Sequence, residues 1–510
     1  MVSVCQESNI RAFRGLLTPC AGGVHPGGFV GSKAAGYRSM AMQANVFPAA
    51  PADTPQPLAP FEHLMLADAR PGHPMTFFLE CKVEGPLSVD RLRLAAVAAA
   101  ARHPRLRSRV AWQSGRPCWL PPDVDPVVEV ASAGAWRPID LARESGLRLV
   151  VLSTDSALTT GGGRTIGNGQ WGATPSRHRV VMVAHHAALD GVAAGEFFGD
   201  LWACYDGREP PRFSNGRRRG AATDGLTEGG LPAGGASLME NTWPFATFRP
   251  RPLALIRPLA TAGGVPRASG MPEARAQAVP PPPFETVSLD REVTSRLRTL
   301  AAVHAWSLND LVVASVIRSA GAWNARACGR SGNVRVTLPV SLRPIGSRGP
   351  ARNNLGYAFL DRTAAAYADR QRLAAGLAEA SRWIVETGAA GGFLKAASVL
   401  ASRPWLLRAV TRLPVCFSTA VVSTIGDPAR RMKSGVPKVD GLEAPGDLVI
   451  TGVRGTPPLR PGTRAAVGAT TYAGELALTG ICSAVPGERL SRPATVEFLT
   501  LVADELLAYL

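Results

Sequence analysis

Two adjacent histidines, His185 and His186, follow an apolar and largely β-branched run at residues 180–184. Histidine is the side chain whose unperturbed pKa lies near neutrality, so an imidazole can take a proton from an alcohol or amine and return it to a leaving group. Asp190 and Gly191 follow in the same short segment. The grouping predicts acid–base chemistry, with His186, Asp190 and His185 as the candidate catalytic residues.

The elements on either side position these residues. Residues 180–184 read as a strand buried on both faces, because polar and apolar residues do not alternate in it. After Gly191 apolar residues recur at helical spacing, so Asp190 is predicted at a helix start, where a carboxylate is favoured. The helical positions are Phe198, Leu201, Trp202 and Tyr205. The histidines therefore lie on a short loop at the C-terminal end of a strand, where catalytic groups often lie.

Several roles remain open at this point. Asp190 either braces the loop through a salt bridge or orients an imidazole. Gly191 either leaves open space beside it or permits backbone angles that other residues avoid. Neighbouring side chains on an extended backbone point to opposite sides, and no Cys, Glu or third His lies nearby to complete a zinc shell, so no metal site is predicted. Of the two histidines, His185 is the one that we interpret as structural.

Residues 185–191 resemble the HHxxxDG signature of the condensation-domain and CoA-dependent acyltransferase superfamily. That group includes nonribosomal peptide condensation domains, polyketide-associated acyltransferases, bacterial wax ester synthases and chloramphenicol acetyltransferase. The resemblance implies an α/β fold class: two chloramphenicol acetyltransferase-like α/β sandwich domains that meet in a V. It further implies a central tunnel with His186 at its middle.

Two further segments resemble the same superfamily in matching order. Residues 102–107 are similar to its RHPxLR segment, and we expect His103 to interact with the end of the preceding helix and its dipole. Residues 339–343 and 353–356 resemble its PVxxR and N(N)xxG stretches, which singles out Arg343 and Asn354. The resemblance implies a salt bridge between Arg343 and Asp190, although by sequence alone Arg343 could equally be a surface cation.

A fourth segment, residues 417–426, resembles the S-N-x-G strand end of the superfamily. Thr424 stands where the asparagine is usual, which puts a contact with the acyl carbonyl in doubt. The hydroxyls of Ser423 and Thr424 could still donate a hydrogen bond there.

Composition shifts divide the 510-residue chain into four parts. Residues 1–57 lack the apolar core of a secretory signal. They are predicted to be a disordered segment or the result of a translation start assigned too far upstream. Residues 58–206 form an N-terminal domain with the histidine motif, and residues 284–510 form a C-terminal domain. The Pro-, Gly- and Arg-rich residues 207–283 between them are too long for an ordinary loop and are predicted to be a linker.

The helices of both halves carry start signals and apolar faces. Ser88 is predicted to cap a helix that buries Leu92, Ala95, Ala96 and Ala99. Asp290 and Ser307 are predicted to start the first two helices of the second half. The last helix is predicted to start at Ser491 and to bury Val496, Leu499, Val502 and Leu506.

The balance of 56 Lys and Arg against 39 Asp and Glu gives a net charge of +17, which could attract nucleic acid, anionic lipid, CoA phosphates or an acidic carrier protein. The basic residues form no patterned stripe, so nucleic acid binding is not expected.

Eight scattered cysteines fit a reducing compartment, and no apolar span is long enough for a transmembrane helix, so we expect a cytoplasmic protein. The helix-rich residues 373–413 read as amphipathic helices against the sheet, with peripheral membrane contact as the alternative.

The function that the resemblance implies is direct acyl transfer. A thioester of CoA or of the phosphopantetheine arm of an acyl carrier protein is the co-substrate, and an alcohol or amine is the acceptor. His186 acts as general base, and no bound cofactor or metal is needed. The alternative is a degenerate, non-catalytic relative that binds a carrier protein or lipid; the intact histidine motif argues against it and Thr424 argues for it.

Overall fold

The computed structural model describes residues 54–132, 134–153, 176–216, 251–252, 281–328, 331–412, 415–416, 418–482 and 492–510, which lie in one unit that begins at Ala50. The predicted disordered segment up to residue 53 and most of the predicted linker lie outside these residues. The described strands of four or more residues are β1 Thr76–Glu84, β2 Val110–Gln113, β3 Arg116–Trp119, β4 Val127–Val130, β5 Leu147–Ser153, β6 Arg177–His185, β7 Glu285–Leu289, β8 Val334–Ser341, β9 Leu355–Arg362, β10 Ala420–Gly426, β11 Val449–Thr456, β12 Ala465–Tyr472 and β13 Glu475–Cys482.

Helices cover the sheets. The described α-helices are α1 Pro60–Asp68, α2 Val89–Ala101, α3 Gly191–Tyr205, α4 Arg291–Val303, α5 Leu308–Cys328, α6 Arg370–Thr387, α7 Gly392–Ala401, α8 Pro404–Thr411, α9 Ala429–Met432 and α10 Arg492–Leu507. Short 3₁₀ turns span Pro104–Arg107, Ala365–Tyr367 and Ala389–Gly391. Two-residue strands lie at Gln56–Pro57, Arg251–Pro252, Val415–Cys416, Lys438–Val439 and Leu442–Glu443.

The histidine-bearing strand β6 is the central strand of a five-stranded sheet with the order β11-β1-β6-β5-β4. It pairs antiparallel with β1, with Thr76 opposite His185, and antiparallel with β5 on its other side. Residues 180–184 are fully buried, which confirms the predicted strand with two covered faces. The edge strand β11 comes from the second half of the chain, so this sheet combines segments from both sides of the predicted linker. The predicted domain boundaries stay a prediction.

A second sheet of six strands has the order β9-β8-β10-β12-β13-β7. Strands β8, β10 and β12 run parallel to one another, and the outer pairs are antiparallel. Each sheet has its own buried apolar cluster, one around β1, β6 and α3 and the other around β8, β12, α5 and α10. This is the mixed α/β architecture that the sequence predicted.

The predicted helix starts are confirmed where the structure describes them. Ser88 accepts a hydrogen bond from the Arg91 amide, and Asp290 accepts one from the Val293 amide. Ser307 and Asp310 cap each other reciprocally at the start of α5. These caps form because short polar side chains satisfy amides that have no partner inside the helix.

The last helix, α10, departs from its predicted face. Leu499, Val502 and Leu506 are buried as predicted, but Val496 is 45% exposed and Phe498 is buried instead. The buried stripe therefore runs through Thr495, Phe498 and Leu499 at the start of the helix, where Phe498 packs against Trp323. The predicted start at Ser491 lies outside the described residues.

No single described helix is long and apolar enough to cross a membrane. Two strongly bent pairs, Arg291–Val303 with Leu308–Arg326 and Arg370–Thr387 with Ala389–Ala401, reach that length and composition only when their members are taken together.

Candidate active site

His186 lies on the turn between β6 and α3, and its backbone amide donates to the carbonyl of Met75 at the start of β1 (2.8 Å). The imidazole lies between two aromatic rings of the N-terminal half. The ring centroid of Phe77 is 5.4 Å away and that of Phe61 is 6.0 Å away. The side chain is 5% exposed. Strand pairing and aromatic packing together therefore restrict the orientation of this ring.

One hydrogen bond sets the tautomer of His186. Nδ1 is 3.1 Å from the carbonyl oxygen of Leu189. A carbonyl can only accept, so Nδ1 carries the proton and Nε2 has a free lone pair. Among the described residues, none forms a hydrogen bond with Nε2. Burial lowers the pKa of His186, although the Leu189 carbonyl and the charge of Asp190 oppose that shift. The neutral imidazole can therefore accept a proton at Nε2 near neutral pH.

His185 has a different environment from its neighbour. Its Nδ1 accepts a hydrogen bond from the Ala187 amide (3.1 Å), which closes the turn. The side chain is buried, and burial lowers its pKa to about 3. A buried neutral imidazole that accepts from the backbone shapes the loop, which agrees with the structural interpretation of His185.

Asp190 is fully buried, and its carboxylate is saturated by three donors. One oxygen accepts from the Ala193 amide (2.9 Å) and so caps helix α3. The other accepts from Nη1 of Arg343 (2.6 Å) and from the Asn354 amide (2.8 Å). Of the two roles left open for Asp190, the salt bridge to Arg343 is the one that forms. The Leu189 carbonyl, and not this carboxylate, orients the imidazole of His186.

The asparagine pair at 353–354 contributes differently from the prediction. Asn354, which the motif singled out, takes part through its backbone amide. The neighbouring Asn353 instead donates from Nδ2 to the carbonyls of His186 (2.5 Å) and Ala187 (2.9 Å). Two adjacent asparagines are equivalent by sequence, so only the position of the loop could distinguish them. Asn353 therefore holds the backbone of the histidine turn from the opposite half of the chain.

Gly191 begins helix α3 beside the end of β10. A Cβ atom at this position would lie 3.5 Å from Cδ1 of Ile425, an ordinary packing distance. Gly191 is absent from the described residues with positive φ, so it is not required for an unusual backbone angle. Ser423 and Thr424 precede Ile425 on β10 and are half-buried. Their hydroxyls form no hydrogen bond with other described residues, so both are free to donate.

His103 links the two halves of the site. Its Nδ1 accepts from the Ala351 amide (2.8 Å), and its Nε2 therefore donates to Asp200 on α3 (3.1 Å). The predicted interaction with the end of the preceding helix is wrong for this side chain. The ring is fully buried, and burial lowers its pKa, so it acts as a neutral bridge. Asp200 also pairs with Arg348, which belongs to the same loop as Ala351.

Two carboxylates on or next to helix α3 therefore anchor the loop at 343–354. Asp190 pairs with Arg343 at the start of this segment, and Asp200 pairs with Arg348 near its middle. The guanidinium of Arg343 also donates to the carbonyl of Arg352 (2.7 Å), which closes the loop on itself. The sequence contained the signal for the first pair, but it contained none for the second.

Aromatic side chains extend from His186 into the C-terminal half. Phe61 contacts Tyr357 with ring centroids 5.1 Å apart, and Tyr357 contacts Phe393 at 5.0 Å. Arg460 lies over the ring of Tyr357 at 5.4 Å and forms an ion pair with Asp68. The imidazole of His186 thus borders a cluster of aromatic side chains. At the edge of this cluster the charge of Arg460 is neutralised by Asp68. In the part of the chain that the structure describes, no group of His, Cys, Asp and Glu side chains could hold a metal ion.

Several solved structures match this architecture over nearly the whole chain. Polyketide synthase associated protein 5 from Mycobacterium tuberculosis matches with a TM-score of 0.51 and 16% identity, over 90% of this chain and 98% of that one. TRI3 trichothecene 15-O-acetyltransferase from Fusarium sporotrichioides matches with a TM-score of 0.56 and 11% identity, over 89% and 94%. The first condensation domain of the CDA synthetase matches with a TM-score of 0.53 and 18% identity, over 90% and 97%. The chain therefore has the fold that these three structures share, which is that of a condensation domain.

This condensation-domain fold confirms the fold class that the histidine motif implied. The V-shaped arrangement and the tunnel stay predictions. No protein-family model matches the chain, and no curated protein sequence matches it either. At these low identities the structural likeness establishes the fold alone.

Replacing His103 with alanine should destabilise the condensation-domain fold by about 2–4 kcal/mol. The change removes two buried hydrogen bonds and leaves the Ala351 amide without its partner. Urea unfolding monitored by circular dichroism measures the decrease in the free energy of unfolding. Replacement of the exposed His304, whose ring stacks on Trp306, with alanine is the control and should cost much less stability. Equal stability of the two variants would contradict the bridging role of His103.

Proposed function

We propose that this protein transfers an acyl group from a thioester to an alcohol or amine, with His186 as general base. The observation that carries the proposal is the tautomer of His186. Its Nδ1–H is held by the Leu189 carbonyl, so Nε2 is free to accept a proton. A base with a lowered pKa is in the active form at neutral pH.

The proposed reaction needs no covalent enzyme intermediate. Nε2 of His186 takes the proton of the acceptor O–H or N–H while the acceptor atom bonds to the thioester carbonyl carbon. The resulting tetrahedral oxyanion collapses, the C–S bond breaks, and the imidazolium returns the proton to the departing thiolate. The hydroxyls of Ser423 and Thr424 are the proposed donors to the oxyanion, in place of the asparagine usual in the superfamily.

The fold supports this class of reaction. The matched structures include an O-acetyltransferase and a condensation domain, which are named for acyl transfer and for bond-forming condensation. We propose acyl-CoA or an acylated carrier protein as the donor, since both present the same phosphopantetheine thioester. The aromatic cluster beside His186 favours a substrate with an apolar portion next to the reacting carbonyl.

The decisive experiment incubates the protein with a panel of acyl-CoA and acyl carrier protein thioesters together with alcohols and amines. Mass spectrometry identifies the products, and a thiol reagent measures the free thiol released. Acyl transfer predicts an ester or amide in amounts equal to the thiol. Thiol release without such a product would indicate hydrolysis and would contradict the proposal.

A non-catalytic relative is the second candidate, and Thr424 is the observation that favours it. Such a protein would bind a thioester or carrier protein without turning it over. Saturable binding of the donor, measured by calorimetry, combined with no product from any acceptor, would support this second function.

The rate of the proposed reaction should depend on pH through His186. Only the neutral imidazole is active, and burial lowers its pKa, so kcat/KM should rise with pH with a midpoint below the usual histidine pKa of about 6.5. The rate should then stay flat to about pH 8. A pH profile with an alcohol acceptor measures this, because the acceptor does not titrate in the range. A midpoint above pH 6.5 would contradict the assignment, provided that circular dichroism shows a folded protein throughout.

A further inference from the structure

Helices α7 and α8 form an exposed amphipathic surface, which we call the helical ridge. On α7 the outward stripe contains Lys395 and Val399, and on α8 it contains Trp405, with Arg403 at the junction and Arg412 after the last turn. Val399 and Trp405 are each 68% exposed. The other side of each helix is buried, through Ala397 on α7 and Leu407 on α8. The stripe is therefore the side that remains in contact with solvent.

The charge of the ridge is of one sign. Between Glu386 and Asp427 the sequence contains four basic residues and no acidic one. Helix α1, against which both ridge helices pack, has two carboxylates, Glu62 and Asp68. Both are buried and form ion pairs with arginines. Their charges are therefore neutralised within the fold and do not offset the basic surface.

The hairpin β2–β3 extends the ridge. The guanidinium of Arg408 lies 4.6 Å from the ring centroid of Trp112, which is 48% exposed. The sequence has no acidic residue from Val110 to Pro122. A second exposed tryptophan and a stacked arginine thus adjoin the helical stripe. Exposed tryptophan among arginine and lysine is typical of a surface that lies at the boundary of a bilayer.

The ridge covers the aromatic cluster of the candidate active site. Phe393 on α7 contacts Phe61 with ring centroids 6.4 Å apart, and Phe61 in turn contacts the ring of His186. A single aromatic layer therefore separates the inner face of the ridge from the imidazole.

We propose that the helical ridge docks the protein peripherally on an anionic lipid bilayer. Val399, Trp405 and Trp112 would enter the headgroup boundary, and the basic side chains would bind lipid phosphates. The absence of acidic side chains on the ridge is the charge complementarity that favours this partner. The proposal does not depend on acyl transfer, because binding is measured without substrate.

Co-sedimentation with vesicles tests the proposal on the full-length protein. Vesicles of phosphatidylcholine with phosphatidylglycerol should bind it, and phosphatidylcholine alone should bind it much more weakly. The ridge variant Lys395→Gln, Arg403→Gln and Arg412→Gln should lose affinity by at least about tenfold. The matched control Arg296→Gln, Arg298→Gln and Arg372→Gln removes the same charge from exposed positions elsewhere and should keep most of the affinity.

The apolar part of the ridge has its own test. Val399→Ser with Trp405→Ser should weaken vesicle binding even in about 0.5 M salt, where screening suppresses the electrostatic attraction. Leu94→Ser with Val303→Ser, at exposed apolar positions elsewhere, should have no effect. The proposal is overturned if the wild-type protein does not bind anionic vesicles, or if ridge and control variants lose affinity equally. It is also overturned if the ridge variants instead dissociate a dimer of this chain in light scattering.

Discussion

Replacing His186 with alanine should lower kcat for acyl transfer by about 10²–10⁴-fold, the contribution expected of a general base. Among the described residues the ring makes no ion pair, and its one side-chain hydrogen bond lies within its own turn. Substrate binding should change little, because in the proposed reaction His186 contacts only the O–H or N–H of the acceptor. We therefore expect KM to stay within a few fold while kcat falls.

The control for this experiment has to separate chemistry from folding. His186→Gln keeps a donor amide that can bond to the Leu189 carbonyl but cannot take a proton, so it should be as inactive as the alanine variant. His304→Ala should keep full activity. Product formation by His186→Gln at the wild-type rate would exclude His186 as the base, and His186 would then be a packing residue between Phe61 and Phe77.

The parts of the site that depend on neighbouring residues in sequence could be predicted. The buried strand at 180–184 follows from an unbroken apolar run, and the capping role of Asp190 follows from its place before a helical pattern. The interpretation of His185 as structural also agrees with its local bond to the Ala187 amide. Each of these inferences concerns contacts within a few residues of the chain.

Contacts between distant segments could not be predicted from residue pattern alone. Nothing in the sequence pairs His103 with Asp200 or chooses Asn353 over Asn354, because these bonds depend on how the loop at 343–354 lies over helix α3. The pairing of β11 with β1 in the first sheet could not be predicted either, because the residue pattern of a strand does not specify which strand it pairs with. The predicted burial of Val496 is wrong for the same reason, because the packing of Phe498 against Trp323 sets which face of α10 is buried.

The two arginine–carboxylate pairs explain how one loop can restrict the histidine turn from outside. Asp190 and Asp200 lie about three turns apart along the start and middle of helix α3, and each binds one arginine of the loop. The Asn354 amide also donates to Asp190 at the end of the loop, and the side chain of Asn353 beside it reaches the carbonyls of the histidine turn. The orientation of His186 is therefore predicted to depend on residues that do not contact the reacting atoms.

Asp190→Ala should consequently destabilise the fold by about 3–5 kcal/mol, because it leaves Arg343 largely buried without its counter-ion. The change also removes the cap of helix α3. Arg343→Ala should cost a similar amount, and the double variant should be less destabilised than the sum of the single ones, since the same pair is broken only once. Chemical denaturation of the four proteins measures this coupling.

The exposed pair of Asp90 and Arg93 on α2 is the matched control, and its double-mutant cycle should show no measurable coupling. Arg343→Lys separates charge from geometry. Lysine keeps the positive charge but lacks the planar guanidinium that bonds to both Asp190 and the Arg352 carbonyl. Compared with Arg343→Ala, it should therefore recover part of the lost stability and a smaller part of the lost kcat. If Asp190→Ala and Arg343→Ala were strictly additive, the pair would not hold the loop, and the dependence of His186 on residues 343–354 would have to be abandoned.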